Sequence, residues 1–135
     1  MAALTADRST PQRDGVDFSF PVAASTKIFA GSIAAINASG LLVPGSTATT
    51  HKCVGVAQEL ADNSAGAASA ITCKVKRGVF RFGNSASGDL IALDDIGGNC
   101  YIVDDQTVAL TNGSSTRSVA GVIRDVDADG VWVQF

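Results

Sequence analysis

The sequence predicts an all-β fold: a small β-barrel or β-sandwich of about eight to ten short strands, with an extended N-terminal arm and a C-terminal hairpin. Three observations lead there. Apolar residues alternate over short runs, and turn residues break the chain every several positions. No stretch of ten or more residues carries a helical apolar period. Ala, Gly, Ser and Thr make up 58 of the 135 residues while aromatics are only 6%, which suits thin, closely packed sheets and tight turns.

Residues 1–16 read as an arm: polar, mixed in charge and broken by Pro11 and Gly15. Residues 17–135 then read as a single β domain of ordinary size. Val16, Phe18 and Phe20 alternate with Asp17 and Ser19, and Pro21 ends the run, as suits an edge or terminal strand. Short strands follow at Lys27–Ala30, Ser32–Asn37 and Leu41–Val43, separated by Gly31, Gly40 and Pro44-Gly45. Lys52–Leu60 reads as a strand covered on both faces, with Val54, Val56 and Leu60 on one parity. Asp62–Ser69 reads as a small-residue loop.

The next strand changes parity. Ile71, Cys73 and Val75 are apolar at odd positions, Phe80 and Phe82 at even ones. A one-residue slip reverses every side chain, so a β-bulge at Gly78 is expected to absorb it. Residues 83–99 are turn-rich, with a single helical turn near Ala92–Ile96. Short strands follow at Cys100–Val103 and Thr107–Leu110. The last pair, Val119–Val126 and Val131–Phe135, flanks Asp127-Ala128-Asp129-Gly130. That loop predicts a type I turn closed by a left-handed glycine.

Chemistry-bearing residues are sparse and uncooperative. Asp125-Val126-Asp127-Ala128-Asp129-Gly130 matches the opening of an EF-hand calcium loop, but the bidentate Glu at its twelfth position is missing because the sequence stops at Phe135. Its flanks also read as strands. Asp94-Asp95 and Asp104-Asp105 are adjacent rather than facing, which suits turn capping better than acid–base work. His51 is the sole histidine, with no signature to make it part of a Ser-His-Asp or Cys-His set. Cys53, Cys73 and Cys100 lack CxxC spacing and read as buried small hydrophobes. These features point away from an enzyme, and no cofactor, metal site or small-molecule substrate is expected.

Net charge is −3, and Lys74, Lys76, Arg77 and Arg81 form the one basic cluster, read as a solvated strand face. No nucleic-acid partner is expected. No apolar run is long enough for a transmembrane helix, and the N-terminus lacks a signal-peptide pattern, so synthesis and assembly in a cytoplasm are expected.

Both ends of the chain carry a resemblance. Ile96-Gly97-Gly98-Asn99-Cys100-Tyr101-Ile102-Val103-Asp104-Asp105-Gln106-Thr107-Val108 resembles a G-x-x-V-Y-V-x-D-D-Q-T-V stretch. That stretch belongs to head-decoration (capsid cement) proteins of tailed bacteriophages of the Mu-like or siphophage type. Cys100 stands where that stretch has an aliphatic residue. Ala120-Gly121-Val122-Ile123 and Asp127-Ala128-Asp129-Gly130-Val131-Trp132-Val133 are similar to the group's ending. Leu4-Thr5-Ala6-Asp7-Arg8 with Thr10-Pro11-Arg13 is similar to its start, and Val54-Gly55-Val56-Ala57 to its middle. The resemblance implies a virion structural protein on the outer capsid surface. It would bind the major capsid protein and its own copies, as a homotrimer. Its arm would make the capsid or inter-subunit contact through Leu4, Thr5, Asp7, Arg8, Pro11, Arg13, Phe18 and Phe20. The competing expectations are a head–tail connector or tail component and a virion-displayed carbohydrate-binding module.

Overall fold

The computed structural model describes residues 2–135. It is all-β, with twelve strands and two single-turn 3₁₀ helices at Ser87–Asp89 and Leu93–Asp95. The strand number exceeds the expected eight to ten because several strands are only two or three residues long.

Seven strands precede Gly78. They are β1 (Asp17–Pro21), β2 (Thr26–Ile28), β3 (Ile33–Ile36), β4 (Leu42–Pro44), β5 (Lys52–Ala57), β6 (Ala61–Asn63) and β7 (Thr72–Lys76). Five of them form an antiparallel sheet in the order β1-β7-β5-β3-β4. A parallel bridge between Val22 and Leu42 joins the two outer strands, so the sheet closes into a small barrel. Its interior holds Val22, Ile28, Ala34, Leu42, Ala57, Cys73 and Val75, with Phe20 packed at the side. The ribbon of β2 and β6 covers one end. Asp62 and Asn63 are thus strand residues paired with Lys27 and Thr26, not loop as expected. Asn63 donates from Nδ2 to the carbonyls of Ala23 and Ala67, which fixes the turn where the sequence shows only small residues.

Five strands follow: β8 (Val79–Phe82), β9 (Asn99–Ile102), β10 (Val108–Ala109), β11 (Val119–Asp127) and β12 (Gly130–Gln134). Their order is β10-β9-β11-β12-β8. A parallel bridge between Gly83 and Thr107 closes this sheet in turn. Phe82, Ile91, Cys100, Ile102, Val108, Ala120, Ile123, Val131 and Val133 fill it.

The parity change has a different cause from the expected bulge. Arg77 and Gly78 carry the chain out of the first barrel and into the second. Cys73 and Val75 therefore face one core while Phe82 faces the other. The backbone stays satisfied through the crossing, since Arg77 N–H donates to Val16 and Phe135 N–H donates to the Gly78 carbonyl. β5 also departs from expectation. A register shift opposite Ala34 and Ala35 makes a bulge at Val54-Gly55, and the strand ends at Ala57. Leu60 lies outside it and is 56% exposed.

The two barrels are structural repeats. Adding 66 to residue numbers carries the β3–β4–β5 ladders onto β9–β10–β11. Ile36↔Leu42 becomes Ile102↔Val108 and Ala35↔Val43 becomes Tyr101↔Ala109. Ala34↔Gly55 and Ala35↔Cys53 become Cys100↔Gly121 and Tyr101↔Val119, and the bulge is kept. Outside that block the spacing changes, to 62 residues from β1 to β8 and 58 from β7 to β12, yet Phe18↔Val75 and Phe20↔Cys73 still correspond to Phe80↔Val133 and Phe82↔Val131. Both bulge glycines serve the same close approach. A Cβ on Gly55 would lie 2.5 Å from the Lys76 carbonyl oxygen and 2.9 Å from Val75 Cγ1. A Cβ on Gly121 would strike the Gln134 carbonyl oxygen and lie 2.8 Å from Val133 Cγ1.

The barrels pack head to tail. The outer face of β3 and β5 in the first barrel contributes Ile33 and Val56 to the second barrel's core, with Cys53 beside them. Polar bonds seal the seam. Ile33 N–H donates to Asp105 O at 2.8 Å, Thr47 Oγ1 to Val103 O at 2.9 Å, and Ser118 Oγ to Ala48 O at 2.6 Å.

Candidate interaction surfaces

The arm is laid bare by the fold. Residues 2–15 are all exposed and lie outside the strands, and Leu4 keeps 73% of its surface. Thr5, Asp7, Arg8 and Pro11 are exposed with it. Arg13 marks the arm's return to the body, its guanidinium 5.7 Å from the centre of the Phe18 ring. Phe18 and Phe20 stack 6.1 Å apart on the side of β1 that faces Cys73 and Val75. The eight residues singled out in the sequence therefore divide. The first six are available to a partner, while Phe18 is half-buried and Phe20 packs against the first core.

Beside Phe18 lies a cleft of about 590 Å³ lined by Arg13, Asp17, Gln58, Lys74 and Lys76. It stands over the outer side of the β1–β7 ladder, where Lys74 and Lys76 are exposed as expected from their parity. β1 is long enough to pair fully with β7, but β5 pairs with β7 only at Val56 and Ala57.

The acidic motifs act as turns. Asp127 Oδ1 accepts from the N–H groups of Asp129 and Gly130, and Oδ2 accepts from Trp132 Nε1 at 2.8 Å. The Trp132 bond, before all else, holds the Asp127 carboxyl below its ordinary range. Arg81 completes the cluster, 5.8 Å from the Trp132 ring centre and 3.6 Å from Asp129. The hairpin loop has two residues, and Gly130 adopts φ +152° rather than the compact left-handed conformation expected of it. A side chain at Gly130 would meet the Phe82 carbonyl, so the neighbouring strand sets this requirement. Asp104 caps its own turn by accepting from Gln106 N–H, and Asp95 accepts from Ala92 N–H.

His51 lies at the seam between the barrels, its backbone N–H donating to Ser118 Oγ. Its Nδ1 is buried without a partner, and burial lowers the pKa of the ring. The three cysteines are free thiols. Burial pushes Cys53 up to about 12 and Cys100 up to about 11, and raises Cys73, so each stays protonated and poorly nucleophilic at neutral pH. Among the described residues, no three His, Cys, Asp or Glu side chains converge on a metal-sized site. No helix among them is long and apolar enough to cross a membrane.

The surface with the clearest structural logic escaped the sequence reading. Asn99, Tyr101, Val119 and Val122 form the outer face of β9 and β11. They are the repeat equivalents of Ile33, Ala35, Cys53 and Val56, which the second barrel covers in the first. Ile33 and Ala35 are fully buried and Val56 is 4% exposed, whereas Val119 is 43% exposed and Asn99 is open to solvent. The paired Val54-Gly55-Val56 and Ala120-Gly121-Val122 segments were the signal that could have revealed the equivalence. Comparison with known proteins adds no relative: no family model, no curated protein and no solved structure matches the chain.

Proposed function

We propose that this chain is a virion structural protein that decorates and stabilises a bacteriophage capsid from its outer surface. It would bind the major capsid protein and further copies of itself, in the homotrimeric arrangement that the resemblance implies. The observation that carries the reading is the arm: fourteen consecutive exposed residues, 2–15, attached to a small, tightly closed body. An extended segment of this kind adds to a neighbour's sheet edge through main-chain hydrogen bonds, with side chains setting specificity. Many weak contacts over a shell then sum through multivalency. The resemblance at the two chain ends supplies the capsid as partner. The buried thiols and the acidic turns agree with a role in which surface, not chemistry, is used.

The test is binding of purified protein to expanded, undecorated heads, with and without residues 1–15. The shortened protein is expected to keep its fold, since it retains β1 from Asp17 and the Val16 carbonyl that accepts from Arg77 N–H, and to lose most head binding. Unchanged binding would remove the arm from the proposal. Failure of the full chain to bind heads would remove the capsid.

A further inference from the structure

We propose that the open outer face of β9 and β11 docks the first barrel of a second copy, repeating between molecules the contact that joins the two barrels within one. The proposal deepens the self-association put forward above and rests on that part of the reading. The internal contact is the template. In it, the outer face and the loop before β5 of one barrel receive the β9–β10 turn and the start of β11 of the next.

Shifting by the repeat names both halves of the new contact. The receiving side becomes Gly98-Asn99 with Thr111–Ser114, flanked by Tyr101, Val119 and Val122. The inserted side becomes Ile36–Ser39 with Lys52. Both sides are present and uncovered. Asn99, Thr111, Asn112 and Ser114 are exposed, as are Ala38, Ser39 and Lys52.

Charge favours the same pairing. Residues 1–78 carry seven Lys and Arg against five Asp and Glu, while residues 79–135 carry three against eight. A basic first barrel therefore meets an acidic second barrel in each head-to-tail contact, and like faces repel. Such a heterologous contact closes into a ring or runs on as a fibre, depending on the rotation between copies. The internal seam is sealed by backbone carbonyls accepting from Thr47 and Ser118 hydroxyls. Shifted by the repeat, Thr47 becomes Gly113 and Ser118 becomes Lys52, which would face Ser114, the counterpart of Ala48. The new seam loses one hydroxyl donor and holds a charge in place of the other, so it is more polar and weaker than the internal one.

Sedimentation velocity on the full chain, without heads, tests this over a wide concentration range. The wild type is expected to associate. Val119→Lys is expected to weaken association at least about tenfold, as loss of one buried aliphatic contact would. Val79→Lys, a comparably exposed valine on β8, is expected to leave association unchanged. Mixing a Lys52→Cys protein with a Ser114→Cys protein under mild oxidation is expected to give the mixed disulfide in preference to either homodimer.

A monomer at all concentrations overturns the proposal. Equal effects of the two valine substitutions, or no preference for the mixed disulfide, overturn it as well. Head binding measured in parallel separates the outcomes: a monomer that still binds heads loses this interface and keeps the capsid reading.

Discussion

A single methyl group at position 121 would collide with backbone rather than with a side chain that can move. The obstacle is the Gln134 carbonyl, held in place by the β11–β12 ladder, with Val133 Cγ1 close behind. Gly121→Ala is therefore expected to cost about 1–3 kcal/mol, the usual penalty of overpacking, and to lower the thermal midpoint measurably. Gly97→Ala is the informative contrast: a Cβ there meets nothing within 4 Å, though its φ of +91° still disfavours a side chain. Trp132 reports on another residue-scale device. Asp127 is lowered below its ordinary 3.8 by the indole hydrogen bond first, and by backbone N–H groups after it. A lowered carboxyl stabilises the fold above its ordinary pKa and loses that contribution as pH falls through the lowered value. Fluorescence of Trp132, the sole tryptophan, is expected to stay constant from neutral pH to about pH 4 and to change only below the ordinary carboxyl range. Asp127→Asn should abolish that step.

At the scale of elements, alternation located most strands because each buries one face. Phe18 and Phe20, Cys73 and Val75, and Val131 and Val133 all follow it. Alternation also registered the parity change near Gly78 but could not say what it meant. A bulge and a passage between two sheets make the same local pattern, and only the identity of the partner strand separates them. β6 stayed hidden for a related reason. Ala61-Asp62-Asn63 has no apolar alternation, and it is a strand because Thr26–Ile28 lies beside it. The two strands of the terminal hairpin were legible, since a polar turn between two apolar runs is local information, but its loop is two residues, Ala128 and Asp129, rather than the four expected. The type of glycine conformation there was not legible, because the Phe82 strand imposes it. For the arm, absence of pattern was itself the signal. Its predicted loss of head binding on deletion tests an element with little to contribute to the core.

For the whole molecule, the shared core decides how it unfolds. Each half is short, 78 and 57 residues on either side of the crossing at Gly78, and chains of that length bury little more than about 60% of their surface alone. Ile33 and Val56 of the first barrel lie in the second barrel's cluster. Unfolding is therefore expected as one cooperative transition, with Trp132 fluorescence and far-ultraviolet circular dichroism giving the same midpoint. Two separated transitions would show independent barrels. Ile33→Ala is expected to cost about 2–5 kcal/mol and to lower the midpoint by both probes, although Trp132 lies in the other barrel.

The sequence by itself determined the all-β class, the exposed arm, the terminal hairpin, the turn role of the acidic pairs and the apolar setting of the cysteines. Each is written in spacing or in residues next to one another. The tertiary structure alone decided that the chain is the same five-stranded barrel used twice. Only five of 27 positions from Gly31 to Ala57 keep their residue 66 places later: Gly31, Ile36, Thr50, Gly55 and Val56. The repeat survives in ladder register and in two close glycine approaches, because packing constrains shape and burial far more tightly than residue identity. The open face of the second barrel belongs to the structure for the same reason. It is recognised by what covers its twin.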